Sequence, residues 1–529
     1  MCGSTPLHIW NGKAMAQYPV SSRLLPRRHF VVSACGLSVA VLLSACVGSA
    51  GSESSQAATT TTGSAAPSVT GAAKATSTAG PPSASVTASS ASAVAPASTS
   101  TIQSTSSVLA TQAPKAGTTS LHVMDFDIVG TPQVKARWEK TKTAFLQSNP
   151  EVTILEDFTN TFAAKLPVLV SSGTPPDVAR IRRQAEFPSF APHGVLVDLT
   201  PSIARSKVVP KGDFYASALD MQSISGKIYT LPDVLDYSFL YYNKNLFDAQ
   251  GLNYPDLTWD YQDWLDAATK LNKYQDGGWT QVGGRVPSFW TVEYAGNVGQ
   301  LLWQGGPTQP GVCTRVNYDQ PGAIQAYEWY QGITCKSHVS PTDAENAKLK
   351  LDFTSGKVAM LLSFDQRQDF NTAIKGAFDW DCTLEPLGDK TKPRIEGLVG
   401  EGVAIFSLSN VKDVAWKYLE FTNDPSTLLQ QVRDDGATSV YANRKVQESP
   451  EYNSSTIPPS NKKVIVDGIA AGRFFPQPSW EMKGMNIAWP TAPATPNPAI
   501  CGGAVPVLAA NLNKQLTDNL QAHGVALCP

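Results

Sequence analysis

The sequence predicts an α/β protein built on a parallel sheet covered by helices. Three observations carry this. Short apolar runs at 121–126, 151–156 and 177–181 alternate with helical patterns at 133–148 and 162–171, a β-α-β-α-β order. At 529 residues and 42% apolar, the chain can bury a large core. Punctuation falls where such an order needs it, with Asn149-Pro150 and Gly173 closing the two helices.

In the helix at 133–148, Val134, Trp138 and Phe145 share a face. Thr258 is placed to cap a later helix whose face is Trp264, Ala268 and Leu271. A helix at 412–421 turns Ala415, Tyr418 and Leu419 inward, with Asp424-Pro425 beyond its end. Ligands of parallel sheets sit beyond the carboxyl ends of the strands, here near Phe126-Asp127 and residues 180–184.

The formal net charge of −2, with no basic stripe, excludes a nucleic-acid footprint and a polybasic membrane patch. The six His show no HExxH and the eight Cys no CxxC, so neither metal nor cofactor is expected. Cys313 with Cys335 and Cys501 with Cys528 are the disulfide pairs suggested by proximity in sequence, which leaves Cys382 as a buried free thiol. Twelve Trp are a supply of flat apolar faces as well as of core.

Residues 1–46 carry an export signal. Arg27-Arg28 precedes an apolar run at 31–43 that is too short to span a bilayer, which takes about 20 residues. Leu43-Ser44-Ala45-Cys46 resembles the bacterial lipobox, in which the Cys is lipidated and becomes the first mature residue. Met15 is an alternative start. From 47 to about 118 the composition is Ser, Thr, Ala, Gly and Pro, which cannot offset chain entropy and is expected to form a disordered tether.

Six blocks of the body resemble the extracellular solute-binding proteins of ABC importers, in the sugar-binding branch related to maltose-binding protein. They are Ser172-Gly173-Thr174-Pro175-Pro176-Asp177-Val178, Gly194-Val195-Leu196-Val197-Asp198-Leu199, Gly226-Lys227-Ile228-Tyr229-Thr230-Leu231-Pro232, Leu240-Tyr241-Tyr242-Asn243-Lys244-Asn245-Leu246-Phe247, Thr258-Trp259-Asp260 and Phe353-Thr354-Ser355-Gly356-Lys357-Val358-Ala359-Met360. The resemblance implies the two-lobed periplasmic-binding-protein fold with hinge strands and an interlobe ligand cleft. It would place lobe I at 119–236 plus 384–424 and lobe II at 237–383 plus 425–529, with crossovers near 236–239 and 384–394. It implies a monomer outside the cytoplasm that serves permease subunits.

A sugar cleft needs aromatic planes and carboxylates. Position in the resembled fold selects Phe126, Asp127, Gln184, Asp236, Trp290, Trp303, Asp365, Glu401 and Trp480 as ligand-contact candidates. Glu401 stands between two glycines that permit close backbone approach. Phe364-Asp365-Gln366 departs from the stacking Trp of relatives, which puts a maltose-like ligand in doubt. The expected function is capture of a small polar solute, a sugar or oligosaccharide, for an ABC importer, without catalysis. Two alternatives stay open: a secreted glycosidase, for which Asp365 with Glu401 would be the carboxylate pair, and a transporter-free carbohydrate sensor.

Overall fold

The computed structural model describes residues 117–126, 128, 132–306, 309–473, 475, 501–522 and 524–528. The signal, Cys46 and the tether therefore lie outside the described residues, as do Asp127 and Trp480.

Three strands, Thr119–Asp125, Val152–Phe158 and Val178–Arg182, pair in parallel with Thr119–Asp125 in the middle. The helices Pro132–Ser148 and Phe162–Ser171 make the two crossovers. The ten-residue strand Glu396–Ile405 runs antiparallel to Val178–Arg182 and to Leu231–Tyr237, and Val440–Tyr441 closes the far edge. Helices Pro132–Ser148, Lys412–Thr422 and Pro425–Asp435 pack together on one face around Trp138, Phe145, Tyr418 and Leu428. A smaller cluster on the other face holds Phe162, Leu166, Ile181, Phe187 and Phe406.

The second sheet is antiparallel: Met360–Ser363, Phe239–Asn243 and Trp380–Leu384, with the middle strand buried along its whole length. Both Tyr241 and Tyr242 are core. The chain passes between sheets at the fully buried Ser238, and again between Leu384 and Glu396.

Local signals act as their chemistry demands. Ser225 and Gly226 both take positive φ (51° and 78°), turning the hairpin of Ser223–Ile224 with Lys227–Ile228. The helix foreseen from Thr258 starts instead at Tyr261. Asp260 accepts from the backbone N–H of Gln262 and Asp263, and Asp263 accepts from that of Asp260. The Thr258 hydroxyl is engaged with Asp256 at 2.6 Å. A two-sided carboxylate cap outcompetes a hydroxyl.

Residues 425–473 correct the lobe boundary. Resemblance places them with lobe II, yet Val440–Tyr441 pairs with Leu231–Tyr237, Gly472–Arg473 pairs with Glu396 and Gly397, and Pro425–Asp435 packs on Pro132–Ser148. Asp424-Pro425 stops one helix and at once caps the next, with Asp424 accepting from the Ser426 N–H at 2.7 Å. The chain thus stays on the first sheet.

The disulfide pairing is also corrected. All four cysteines are bonded, but as Cys313–Cys528 and Cys335–Cys501, with Cα separations of 5.1 and 5.4 Å. The C-terminal helix Val505–Ala522 packs on Pro321–Gln331, and antiparallel docking sets the last Cys of one segment against the first of the other. Proximity in sequence cannot see that docking. Cys382 is free and buried.

The bridges close spans of 215 and 166 residues, so each restricts the unfolded chain strongly. Replacing Cys335 and Cys501 together by Ser is expected to cost about 2–5 kcal/mol in denaturant unfolding. Peptide mapping without reduction should recover 313 linked to 528. An intact chain yielding 313 linked to 335 would refute this pairing.

Candidate functional site

Arg180 lies mid-strand in Val178–Arg182, where alternation sends it to the helix face that also holds Val178. A half-buried guanidinium there needs anions, and three other segments of sheet supply them. Its Nη1 and Nη2 fork onto Asp233 at 3.1 and 2.9 Å, its Nε donates to Asp125 at 3.2 Å, and Nη1 reaches Glu401 at 3.4 Å. Asp125 is the last residue of its strand and is buried.

Asp125, Arg180 and Asp233 border a cavity of about 210 Å³ whose walls also include Arg137, Trp138, Tyr418, Gln431 and Tyr441. Gln368, from the helix Arg367–Ile374 beside the second sheet, contributes to the wall. The cavity therefore lies at the carboxyl end of the parallel strands and is touched by both halves. Two arginines and two aspartates line it, so its charges balance, while Glu401 adds one carboxylate on Arg180. The volume is below the roughly 300–1,000 Å³ of a site for a larger ligand. The Trp138 ring is gripped edge-on by Phe158 and Tyr418, at 5.1 and 6.2 Å between centroids.

Phe126 follows Asp125 and turns to the other face of the sheet. It packs on Phe162 at 5.1 Å, and the Arg182 guanidinium stands 4.9 Å from its centroid. The buried Glu186 holds Arg182 through a fork and also accepts the Arg182 backbone N–H at 3.1 Å. Gln184 lies two residues beyond the strand with its Oε1 buried and unpartnered among the described residues, an acceptor waiting for a donor.

Asp236 and Asp365 meet at the first chain crossing. Asp236 Oδ1 accepts the Asp365 backbone N–H at 2.7 Å. Asp365 takes both ends of the Arg367 guanidinium, at 2.8 and 2.7 Å. Arg367 is fully buried and also donates to the carbonyls of Thr438 and Pro458, which binds the second sheet to the 438–458 segment on the first. Burial, then the neighbouring Asp365, pushes the Asp236 carboxyl up to about 7.

Two expected contacts are corrected. Trp290 and Trp303 are fully buried and show no ring face to the cavity. Trp290 donates its Nε1 to Glu385 at 2.9 Å, and Trp303 is enclosed in a short hairpin with Arg315–Val316. Both are spent on the core of the second half. Asp365 is likewise spent, on Arg367. Of the remaining candidates, Glu401 reaches Arg180 from outside the cavity lining, while Phe126 and Gln184 lie at the neighbouring strand ends. Asp125, Trp138, Arg180 and Asp233 were missed. Arg180 was open to detection, since a cation in the middle of an interior strand must have a partner.

Two α/β halves, joined by crossing strands and bordering a polar cavity at the strand ends, define a two-lobed binding-protein fold. A profile of the bacterial extracellular solute-binding proteins matches residues 131–426, and the chain belongs to that family, whose members work outside the cytoplasm. A binding protein of Brucella abortus is 24% identical over 349 residues, 65% of this chain and 81% of the relative. The fold is that of the ABC substrate-binding protein of Listeria monocytogenes solved with cycloalternan (TM-score 0.63, 19% identity, 76% of this chain and 99% of that one). It is also that of the sugar-binding protein MalE from Xanthomonas citri (TM-score 0.61, 17% identity, 77% and 98%). Among the described residues, no helix is long and apolar enough to cross a membrane and no cluster of ligating side chains fits a metal.

Because the native Asp236 carboxyl titrates near 7 against an ordinary 3.8, the folded chain holds a proton that the unfolded chain has released. That contribution is complete below about pH 4 and is lost as the pH rises through about 7. Asp236→Asn keeps an acceptor for the Asp365 N–H. It should match the wild type in acid and exceed it in stability above neutral pH, in urea unfolding across the range. Equal pH profiles would refute the assignment.

Proposed function

We propose that this chain is a lipid-anchored receptor that captures a neutral polyhydroxylated solute, a sugar or short oligosaccharide, and delivers it to the permease of an ABC importer. The observation that carries the reading is the Arg180 cluster: carboxylates and guanidinium at the strand ends, beside aromatic rings and within reach of both halves. Sugar hydroxyls donate to carboxylates and accept from arginine, and C–H faces lie on aromatic rings. Balanced charge along the cavity favours a neutral guest over a phosphorylated one, which would require surplus cations. The solved relatives supply support of their own, since they were solved with cycloalternan, tagatose and mannotriose bound.

A glycosidase would need two carboxylates facing each other across the sugar. Asp365, the carboxylate expected opposite Glu401, is held by Arg367 instead. Cys46 supplies the anchor and residues 47–118 the tether, which keeps a soluble body near the membrane.

Calorimetric titration with neutral sugars, polyols, sugar phosphates and amino acids tests the reading. A neutral sugar should bind and raise the melting temperature, with no cleavage products. Asp233→Asn should weaken that binding by at least about tenfold, in line with loss of a charge-assisted hydrogen bond. Binding of an amino acid alone, or turnover of an oligosaccharide, would overturn it. For the anchor, Cys46→Ala should abolish labelling by a fatty-acid probe in cells, and labelling that persists would refute it.

A further inference from the structure

The second chain crossing encloses three carboxyl groups that the binding site does not use. Glu385 directly follows the strand Trp380–Leu384, Glu396 opens the strand Glu396–Ile405, and Glu293 lies on the helix Trp290–Asn297 of the second half. Glu385 and Glu396 are fully buried and Glu293 is 7% exposed. The Glu293 carboxyl presses on the crossing backbone so closely that a Cβ added at Gly397 would lie 1.8 Å from its Oε2. Glycine is required there because the acid occupies the space.

Donors are too few for three anions. Glu396 pairs with Arg394, whose Nη1 and Nη2 also donate to the carbonyls of Glu385 and Leu257. Glu385 Oε2 accepts from Trp290 Nε1 at 2.9 Å and from the Tyr261 hydroxyl at 3.4 Å. Glu293 Oε2, Glu385 Oε1, Glu396 Oε2 and Asn297 Oδ1 are buried without a partner among the described residues. Every one of these is an acceptor if the acids are ionised. A single guanidinium cannot compensate three buried carboxylates, each of which costs several kcal/mol unpaired. Protonation resolves this by converting an orphan acceptor into an O–H donor for its neighbour.

We propose that Glu293, Glu385 and Glu396 form a proton-binding cluster at the crossing, which holds two protons at neutral pH and loosens the joint as it releases them in alkali. The groups facing it are few. The helix Tyr261–Leu271 presents the Tyr261 hydroxyl, and Tyr294 lies tilted against that ring at 4.3 Å. The helix of Glu293 adds Trp290 and Asn297, and the crossing segment adds Arg394. The strand Gly472–Arg473 adds Arg473, which is exposed and donates to its neighbouring carbonyl. Phe475 closes the cluster's helix at Gly296 as an apolar lid. Burial first, then the neighbouring glutamates, drives the Glu293 and Glu396 carboxyls well above the ordinary range, and burial raises Glu385 as well.

The sign follows from linkage. Acids raised in the native state stabilise it fully below about pH 4.3 and lose that contribution as the pH climbs through their native values. The test is thermal unfolding of the full chain from about pH 5 to pH 9, in the Asp236→Asn background so that the first crossing is silent. The melting temperature should fall by about 1–2 °C per pH unit for each proton released, and Glu293→Gln should flatten the fall. At neutral pH the infrared spectrum should hold a carboxylic-acid carbonyl band that Glu293→Gln diminishes. If that variant does not fold, proton counting on native against urea-unfolded chain decides, with about two extra protons expected on the native chain. An unchanged slope and band, or no excess of protons, would overturn the proposal. Restoration of the alkaline melting temperature by sodium, calcium or magnesium at fixed ionic strength would also overturn it, by assigning the cluster to a cation.

Discussion

The guanidinium of Arg180 is the point on which the site depends. A cation on an interior strand is costly unless anions meet it, and here each partner comes from a different part of the sheet: Asp125 from the parallel neighbour, Glu401 from the antiparallel one, Asp233 from the strand beyond. Satisfying one half-buried charge thus fixes four chain segments relative to one another at their functional ends. It also holds the carboxylates in a fixed array, so a guest meets acceptors that need no reordering. The charge that would be a liability for the core becomes the frame of the cavity.

The arrangement relies on the halves being coupled without being fused. At the first crossing the coupling is compact: Ser238 between two sheets, a hydrogen bond from the Asp365 N–H to the Asp236 carboxylate, and Arg367 buried beneath. Arg367 reaches back to carbonyls at 438 and 458, so the second sheet grips a segment packed on the first. An arginine in this place suits a hinge. Its planar fork locks Asp365, while carbonyl contacts at 3.2–3.3 Å are individually weak and can lengthen during closure.

Much of the fold was legible because it is locally encoded. The alternation of strand and helix from 119 to 182 and the stop at Asp424-Pro425 are each set by a few neighbouring residues. What was not legible is set by docking. Thr258 lost the helix start to Asp260 because capping strength depends on which donor the side chain reaches. The cysteines paired across antiparallel helices, and residues 425–473 returned to the first sheet. Glu401 was singled out because Gly400 and Gly402 mark a close approach, and a Cβ at Gly402 would meet the Thr230 hydroxyl at 2.6 Å. Trp290 and Trp303 were misplaced because a tryptophan beside glycines reads the same whether it walls a cleft or fills a core. Only three-dimensional neighbours separate those outcomes.

The two crossings solve the same electrostatic problem in opposite ways. At the first, Asp365 is matched by a full guanidinium, and Asp236 carries an elevated affinity for a proton. At the second, three acids share one arginine, so the deficit must be met by something other than protein charge. A binding protein that opens and closes benefits from crossings that are neither apolar nor fully paired. An apolar joint would tolerate sliding, and a fully paired one would resist any change of angle. Carboxyls kept neutral by their surroundings can hydrogen-bond in one geometry and exchange partners in another without stranding a charge, which is what a hinge between two rigid sheets requires.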